Sequence, residues 1–380
     1  MVRNTFRIFC FCCISTLGST ISAQNVSGFS NWYEALAEGK SDSILVWYQL
    51  LPASERIQSK PVLLYAEALN RSNQVDQAID LLDELKTSDS LNGEFRDRLA
   101  ELYMQELLWE KAYVHYSSLL NQFPKVAKYW RKMGDISLQV DQNEAASYYY
   151  SQAHIHDVYN PEYTILYAKS LVNLDKLDSA LQLIQKNSAL FPNNRSYQFY
   201  LAELLYRNSS YQSTVQILDR FTQLPNYYQM ISGLSWIQLD SFQRGMDILV
   251  ELPEKLLQHE VVQGKLAHAC LQLGDTTKAM VYFEGALEAG ISKNSAIYYL
   301  EKAKVYLQLN NLPQAKNAVY KGMSIKRLPE LVWYNAKISE LQGQLAQAKT
   351  SYSEFIQMAD STQLNKLTEA QFKLDSLSRN

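Results

Sequence analysis

The chain reads as an all-α protein built from stacked, antiparallel helix pairs, an α-solenoid. Two observations lead there. Small residues recur at a fixed interval: Ala112, Ala146 and Ala180 lie 34 residues apart, and Ala100, Gly134 and Ala168 keep that interval twelve residues ahead of them. Pro124 and Pro192 close two of the units so defined. A period of this length marks a stacked repeat, in which each unit buries its apolar face mainly against its neighbours.

Between Ser59 and about Asp360 nine units can be counted, beginning at Ser59, Gly93, Ala127, Pro161, Arg195, Asn226, Glu260, Ala296 and Pro329. The eighth residue of each is Ala66, Ala100, Gly134, Ala168, Ala202, Gly233, Ala267, Ala303 or Ala336. Twelve residues later come Ala78, Ala112, Ala146, Ala180, Thr214, Gly245, Ala279, Ala315 and Ala348. Two helices joined by a short turn cross closely only where small side chains face each other, and larger ones there would force the axes apart. One helical turn beyond the second small residue stands a bulky one: Leu82, Tyr116, Tyr150, Ile184, Leu218, Leu249, Phe283, Val319 or Tyr352. Between the helices seven units carry a residue that tolerates left-handed backbone: Asn73, Asp141, Asp175, Asp240, Gly274, Asn310 and Gly343. Leu107 and Ser209 break that pattern, so those two turns are expected to close differently.

This small–small–bulky pattern resembles the tetratricopeptide repeat (TPR) family over about 300 of the 380 residues. The unit Ala127 to Asn160 carries Trp130, Met133, Gly134, Ala146, Tyr150 and Ala153 at the places typical of the family, and the unit from Gly93 adds Tyr103, Ala112, Tyr116 and Pro124. The resemblance implies a right-handed superhelix whose concave groove, lined by the first helices, receives an extended peptide or a helix. The family's carboxylate clamp for chaperone C-termini requires Asn directly after the first small residue. Since none of the nine units has Asn there, chaperone binding is not expected.

The units are unequal. The one from Arg195 runs 31 residues and the one from Glu260 runs 36, with Pro225 and Pro253 at nearby junctions, so the array is expected to bend or loosen between Leu218 and Pro253. Residues 24–58 form an N-terminal segment. In it Asn31 to Leu51 is expected to make a degenerate helix pair with Trp32, Tyr33, Leu36, Ile44, Tyr48 and Leu51 inward, preceded by an unstructured stretch from Gln24 to Ser30. The repeats occupy 59–360. In 361–380 an amphipathic helix from Thr362 is expected to cap the last unit with Leu364, Leu367, Phe372, Leu374 and Leu377, keeping Lys366, Glu369 and Lys373 outward.

Residues 1–23 have the form of a secretory signal peptide: Arg3 and Arg7, an apolar stretch from Ile8 to Ile21, then Ser22-Ala23 before a cleavage point at Gln24. Cys10, Cys12 and Cys13 would leave with it, and bulky residues or another cysteine precede each, a poor context for lipidation. Cys270 then remains alone, so no intramolecular disulfide is expected. No later run of about 18 apolar residues occurs, so no integral membrane segment is expected in the mature chain. The formal net charge of −3 gives no basis for nucleic-acid binding.

No catalytic, cofactor or metal constellation emerges. His154 and His156 are two apart and diverge on a helix, His259 and His268 lack a nearby carboxylate or cysteine at ligand spacing, and Cys270 falls on an inward position. Phosphate loops, nucleophile elbows and H-E-x-x-H are absent from the sequence. The candidate surface is therefore the groove. The residue after each first small position is Glu67, Glu101, Asp135, Lys169, Glu203, Leu234, His268, Lys304 or Lys337, acidic in the first three units and basic in the last two. Arg131, Phe199, Tyr206, Tyr227, Met230, Leu300 and Trp333 lie close by and are of types that anchor partners. The expected function is that of an exported, non-enzymatic scaffold that binds a protein or peptide in this groove, periplasmic within a bacterial envelope complex. The alternatives are secretion or peripheral attachment to the outer membrane, and a carrier of a small molecule or glycan or a non-catalytic subunit of an envelope enzyme.

Overall fold

A computed structural model describes residues 29–85 and 93–379, and among these it contains helices and no strand. The expected signal segment 1–23 lies outside the described residues. Nine helix pairs follow one another: α4 (Ser59–Arg71) with α5 (Val75–Leu85), α6 (Gly93–Gln105) with α7 (Trp109–Gln122), α8 (Ala127–Gln139) with α9 (Asn143–His156), α10 (Pro161–Asn173) with α11 (Leu177–Asn187), α12 (Arg195–Arg207) with α13 (Tyr211–Leu218), α14 (Asn226–Gln238) with α15 (Phe242–Val250), α17 (Glu260–Gln272) with α18 (Thr276–Glu288), α19 (Ser295–Gln308) with α20 (Leu312–Ile325), and α21 (Pro329–Leu341) with α22 (Leu345–Met358). Their first helices begin where the units read from the sequence begin, except that α19 starts one residue before Ala296. Local chemistry sets several starts. Pro161 and Pro329 occupy first-turn positions that lack an N–H partner in any helix, and the Asn160 and Asp275 carboxamide and carboxylate oxygens accept from the backbone N–H of Glu162 (3.0 Å) and Lys278 (3.0 Å).

The pairs meet over their small residues. Every alanine at the two repeating positions is 0 % exposed, and each bulky residue four places on is at most 1 % exposed. Where glycine replaces alanine the approach is closer still. A Cβ on Gly245 would lie 2.5 Å from the Ile237 side chain and 2.8 Å from the Gly233 carbonyl oxygen. On Gly134 it would lie 2.6 Å from the Tyr150 ring.

All nine turns close in one way. The residue between the helices has φ between 56° and 58° in the seven that lack glycine, and Gly274 and Gly343 have φ of 82° and 73°. Leu107 (58°) and Ser209 (57°) adopt the same left-handed backbone, contrary to the expectation that they depart. The reason is the hydrogen bonding that follows: Leu108 N–H donates to Tyr103 O (2.8 Å) and Ser210 N–H to Leu205 O (2.8 Å), as Gln142 N–H does to Ser137 O (2.8 Å). Packing of the pair imposes this helix ending, and Leu107, 66 % exposed, bears its steric cost without gaining burial.

The chain divides into two compact units, residues 1–186 and 187–380. In the first, α1 (Phe29–Ala37) and α2 (Ser41–Leu50) pack ahead of α4, with the short α3 (Ala53–Arg56) in the link. Trp32, Leu36, Ile44, Tyr48 and Leu51 are buried as expected, but Tyr33 is exposed and lies beneath Lys60 Nζ, 5.4 Å from its ring. Phe29 and Ser30, expected to be unstructured, open α1. Arg71 Nη1 donates to Leu36 O at 2.6 Å and ties α4 to α1.

In the second unit, the stretch from Leu218 to Pro253 is not loose. Leu234, Ile237, Leu249, Leu252, Val262 and Leu266 share one buried cluster there, and the length missing from the unit at Arg195 is taken out of α13, which has eight residues. The four-residue α16 (Glu254–Leu257) precedes α17. At the end, α23 (Leu364–Arg379) packs on α22 with Leu367 and Leu377 against the buried cluster as expected, but its other inward positions differ from those expected. Ala370 is its fully buried residue, Leu364 and Phe372 face outward (64 % and 71 % exposed), and Lys373 turns in to Glu340 at 2.6 Å. Ala370 permits a closer seat than any leucine would, and the rotation follows from it.

Two substitutions test this packing. Leu107→Asn should raise the denaturation midpoint, by up to about 1 kcal/mol of stability, because Asn adopts left-handed backbone more readily. A lowered midpoint would show that the exposed leucine contributes apolar contact that outweighs the strain. Gly245→Ala should lower stability by about 1–3 kcal/mol through overpacking against Ile237 and Gly233, and unchanged chemical denaturation would contradict the close crossing.

Candidate functional site

In the first unit the first helices α4, α6, α8 and α10 are joined by a ladder of charges. Glu67 pairs with Arg71 (2.5 Å) on its own helix and with Arg98 on the next. Arg98 also reaches Glu101 (3.3 Å), and Glu101 in turn holds Lys128 (3.3 Å) and Lys132 (3.2 Å) on α8. Lys128 donates to Asp97 at 2.7 Å, and the Tyr116 hydroxyl donates to the other Asp97 oxygen at 3.3 Å. Further along, Arg131 lies 3.3 Å from Asp135 and 3.2 Å from Glu162 on α10, and the Tyr150 hydroxyl donates to Asp135 at 2.9 Å.

This arrangement corrects the reading of an acidic half-groove. Glu67, Glu101 and Asp135 are each neutralised by a cation of their own or the adjoining unit. Burial works to raise the Glu101 carboxyl, but Lys132 and Lys128 outweigh it and hold the group below the ordinary carboxylate value. Asp135 goes the other way: burial raises it, and Arg131 and Tyr150 offset only part of that. Arg98 and Lys132, not singled out in the sequence, are both the sixth residue of their unit. That position faces the ninth residue of its own or the preceding unit, a relation visible only once the neighbouring helices are in place.

The second unit differs. Here the structure brings three predicted residues together on α12 and α14: Glu203 pairs with Arg207 (2.6 Å), Arg207 also bonds the Tyr227 hydroxyl, and Tyr206 packs edge-on to Tyr211 with centroids 5.8 Å apart. Tyr227 is 41 % exposed, and burial followed by Glu203 raises its phenol. Phe199 is buried between Tyr228 and Arg195 rather than presented, and Leu234 and Leu300 are buried too. Trp333 is 5 % exposed in the cluster with Tyr352 and Phe355, with Lys337 Nζ 4.7 Å and Lys366 Nζ 5.4 Å from its ring. It is a packing residue, and the two lysines cover it. Lys304 pairs with Glu301 at 2.6 Å, and Lys169 is exposed on α10. His268 lies edge-on to Phe242 and lines a cleft of about 480 Å³ between α17 and α19, together with Val261, Gly264, Lys265, Phe283, Asn294, Ile297, Tyr298 and Glu301. Burial, and then Lys265, hold its imidazole below the ordinary value.

The remaining histidines have structural places. His115 is buried against Tyr103, His154 Nδ1 is 3.0 Å from Thr164 Oγ1, His156 stacks on Trp130, and His259 Nδ1 accepts from Val261 N–H at 3.3 Å. Cys270 is 1 % exposed, its Sγ 4.0 Å from Met246 Sδ, and burial raises its thiol. Among the described residues no group of three His, Cys, Asp or Glu is placed to hold a metal, and no helix is long and apolar enough to cross a membrane.

No family model matches this chain, and no curated protein matches it. Among solved structures it is similar to a tetratricopeptide repeat protein from Parabacteroides merdae (13 % identity, 76 % of this chain and 97 % of that one, TM-score 0.39). It is also similar to MamA from Desulfovibrio magneticus (18 %, 43 % and 94 %, 0.38) and to human IFIT1 with PPP-AAAA (15 %, 92 % and 89 %, 0.43). Likeness at this level is not extended to what those proteins bind.

The ladder makes a prediction. Glu101→Gln would take the carboxylate from Lys132, while Arg98 keeps Glu67 and Lys128 keeps Asp97, so stability should fall by up to about 1 kcal/mol at low salt and by less at high salt. Because the folded Glu101 value is lowered, its contribution is fully present above the ordinary carboxylate range and is lost as pH falls through the lowered value. Equal denaturation midpoints for the two proteins at low salt and neutral pH would show that the ladder contributes nothing.

Proposed function

We propose that the chain is a non-enzymatic scaffold that binds a polypeptide segment along the faces of its first helices. The observation that carries this reading is the Glu203–Arg207–Tyr227 group with Tyr206, charged and aromatic side chains on the adjacent first helices α12 and α14, flanked by Tyr211 at the start of α13 and not consumed by the core. Tyrosine and arginine in this setting supply contact area and directional hydrogen bonds to an extended backbone. The first unit's charges are tied to one another across neighbouring helices, whereas the Glu203–Arg207 pair lies along one helix with Arg207 and Tyr227 exposed, so the second unit is the better candidate. The form of residues 1–23 supports export, and a bacterial periplasm is the compartment we assign, within an envelope complex.

A second reading, a glycan or small-molecule carrier, is favoured by a different feature. Tyr148, 55 % exposed, lies edge-on to Trp130 (6.2 Å) and to Tyr149 (5.5 Å), an open aromatic platform in the first unit.

Affinity capture with the tagged protein from envelope extract, followed by mass spectrometry, tests both. A recurrent polypeptide lost on Arg207→Ala with Tyr227→Ala, while thermal unfolding is little changed, is the expected result. Reversing Glu67 and Glu101 is a poorer test, since it breaks the ladder as well. If no polypeptide is retained at any salt concentration, the scaffold reading fails and the aromatic platform is to be screened against glycans. An intact N-terminus in the mature protein, where the reading expects a start at Gln24, would remove the export assignment.

A further inference from the structure

We propose that the cleft between α17 and α19 takes a carboxylate of an acidic peptide segment, with Lys265 as its counter-ion. The inference deepens the polypeptide-binding reading above and rests on it.

The repeat supplies the comparison. Lys265 is the sixth residue of its unit, as Arg98 and Lys132 are of theirs. Arg98 lies between the ninth residues of the preceding unit and its own, Glu67 and Glu101, and Lys132 pairs with Glu101 of the preceding unit. The ninth residues on either side of Lys265 are Leu234 and His268, neither of them a carboxylate. The acids closest to the cleft are engaged by other groups. Glu301 holds Lys304 at 2.6 Å, and Glu260 accepts from Ser292 Oγ at 2.5 Å and Asn294 Nδ2 at 3.2 Å. Among the described residues Lys265 makes no ion pair, although it is partly buried. Burial lowers its ammonium, and Lys265 in turn lowers His268. An ammonium in that position gains most from an anion brought by a partner, because the cost of its partial burial has already been met in folding.

The cleft selects the kind of anion. It contains one unpaired ammonium, an imidazole held below its ordinary value, and the Glu301 carboxylate at the rim. A single negative charge is matched there by Lys265, whereas a phosphate dianion would keep one of its charges without a counter-ion. Val261 and Phe283 make the walls apolar, and Gly264 lets the Tyr298 ring lie where a Cβ would be 2.5 Å away. A volume of about 480 Å³ accommodates a side chain and its neighbours rather than a whole domain. The occupant is thus an Asp or Glu next to an aliphatic residue in an extended segment.

The test is selection of peptides from a displayed random ten-residue library on the tagged protein, followed by binding measurements with the synthetic winners. Expected are peptides with an acid beside an aliphatic residue, whose affinity falls at least tenfold when that acid is amidated or when Lys265 becomes Met. The two changes together should cost little more than either alone, and Lys265→Arg should retain most of the binding. Lys265→Met should not lower the melting temperature, since it removes a partly buried charge that has no partner. Acetate should compete. Displacement by inorganic phosphate with acetate ineffective would overturn the assignment in favour of phosphate. Selected peptides without acid preference, or unaffected by Lys265→Met, would sink the cleft inference and leave the polypeptide-binding reading standing. Failure to select any peptide would remove both.

Discussion

The structure depends on how closely two helices can pass. Small residues at two positions per unit, alanine or glycine except for Thr214, let the backbones of a pair approach so closely that at Gly233 and Gly245 not even a methyl group fits. From that contact the rest follows. A close crossing fixes the turn, so Leu107 and Ser209 take the left-handed backbone that Asn and Asp take elsewhere. It also fixes where the bulky residue one turn later lands, which is why Tyr116, Tyr150, Phe283 and Tyr352 are all buried at one register. With each pair held as a rigid wedge, successive first helices lie side by side and their sixth and ninth residues come into reach.

At those positions the two compact units differ in charge pairing. In the first, acids and bases alternate across the helices and satisfy one another, so a surface that looks acidic in one dimension is close to neutral in three. Pairs of this exposure contribute modestly one by one, and their larger effect is on recognition, because a partner must compete with an existing counter-ion. In the second unit the pairing is incomplete. The Glu203–Arg207–Tyr227 group is presented at the surface, and Lys265 sits where its counterparts in the first unit have carboxylates.

The tyrosines illustrate how one residue type serves two ends. Tyr116, Tyr150 and Tyr352 bury their rings at the helix crossing and send their hydroxyls to Asp97, Asp135 and Glu340 on the facing helix. Each adds a directional bond to apolar packing, and burial raises all three phenols. Tyr148 and Tyr227, by contrast, stay open to solvent and remain available for contacts.

Helix content, pair boundaries and the inward positions were legible in the sequence by itself, because they follow from 3.6-residue periodicity, small-residue spacing and turn chemistry, all of them local. The N-terminal helix pair, expected over Asn31 to Leu51, was legible for the same reason, although its start at Phe29 was not. What only the tertiary structure decided is contact between residues some thirty positions apart: that Glu67 and Glu101 are neutralised across helices, that Lys366 covers Trp333, that α23 seats on Ala370 with Phe372 outward, and that Lys265 is left without a carboxylate. A linear pattern records which face a side chain occupies. Whether a charge on that face is paired depends on helix rotation and on the neighbouring helix's own residues, and those are set by packing.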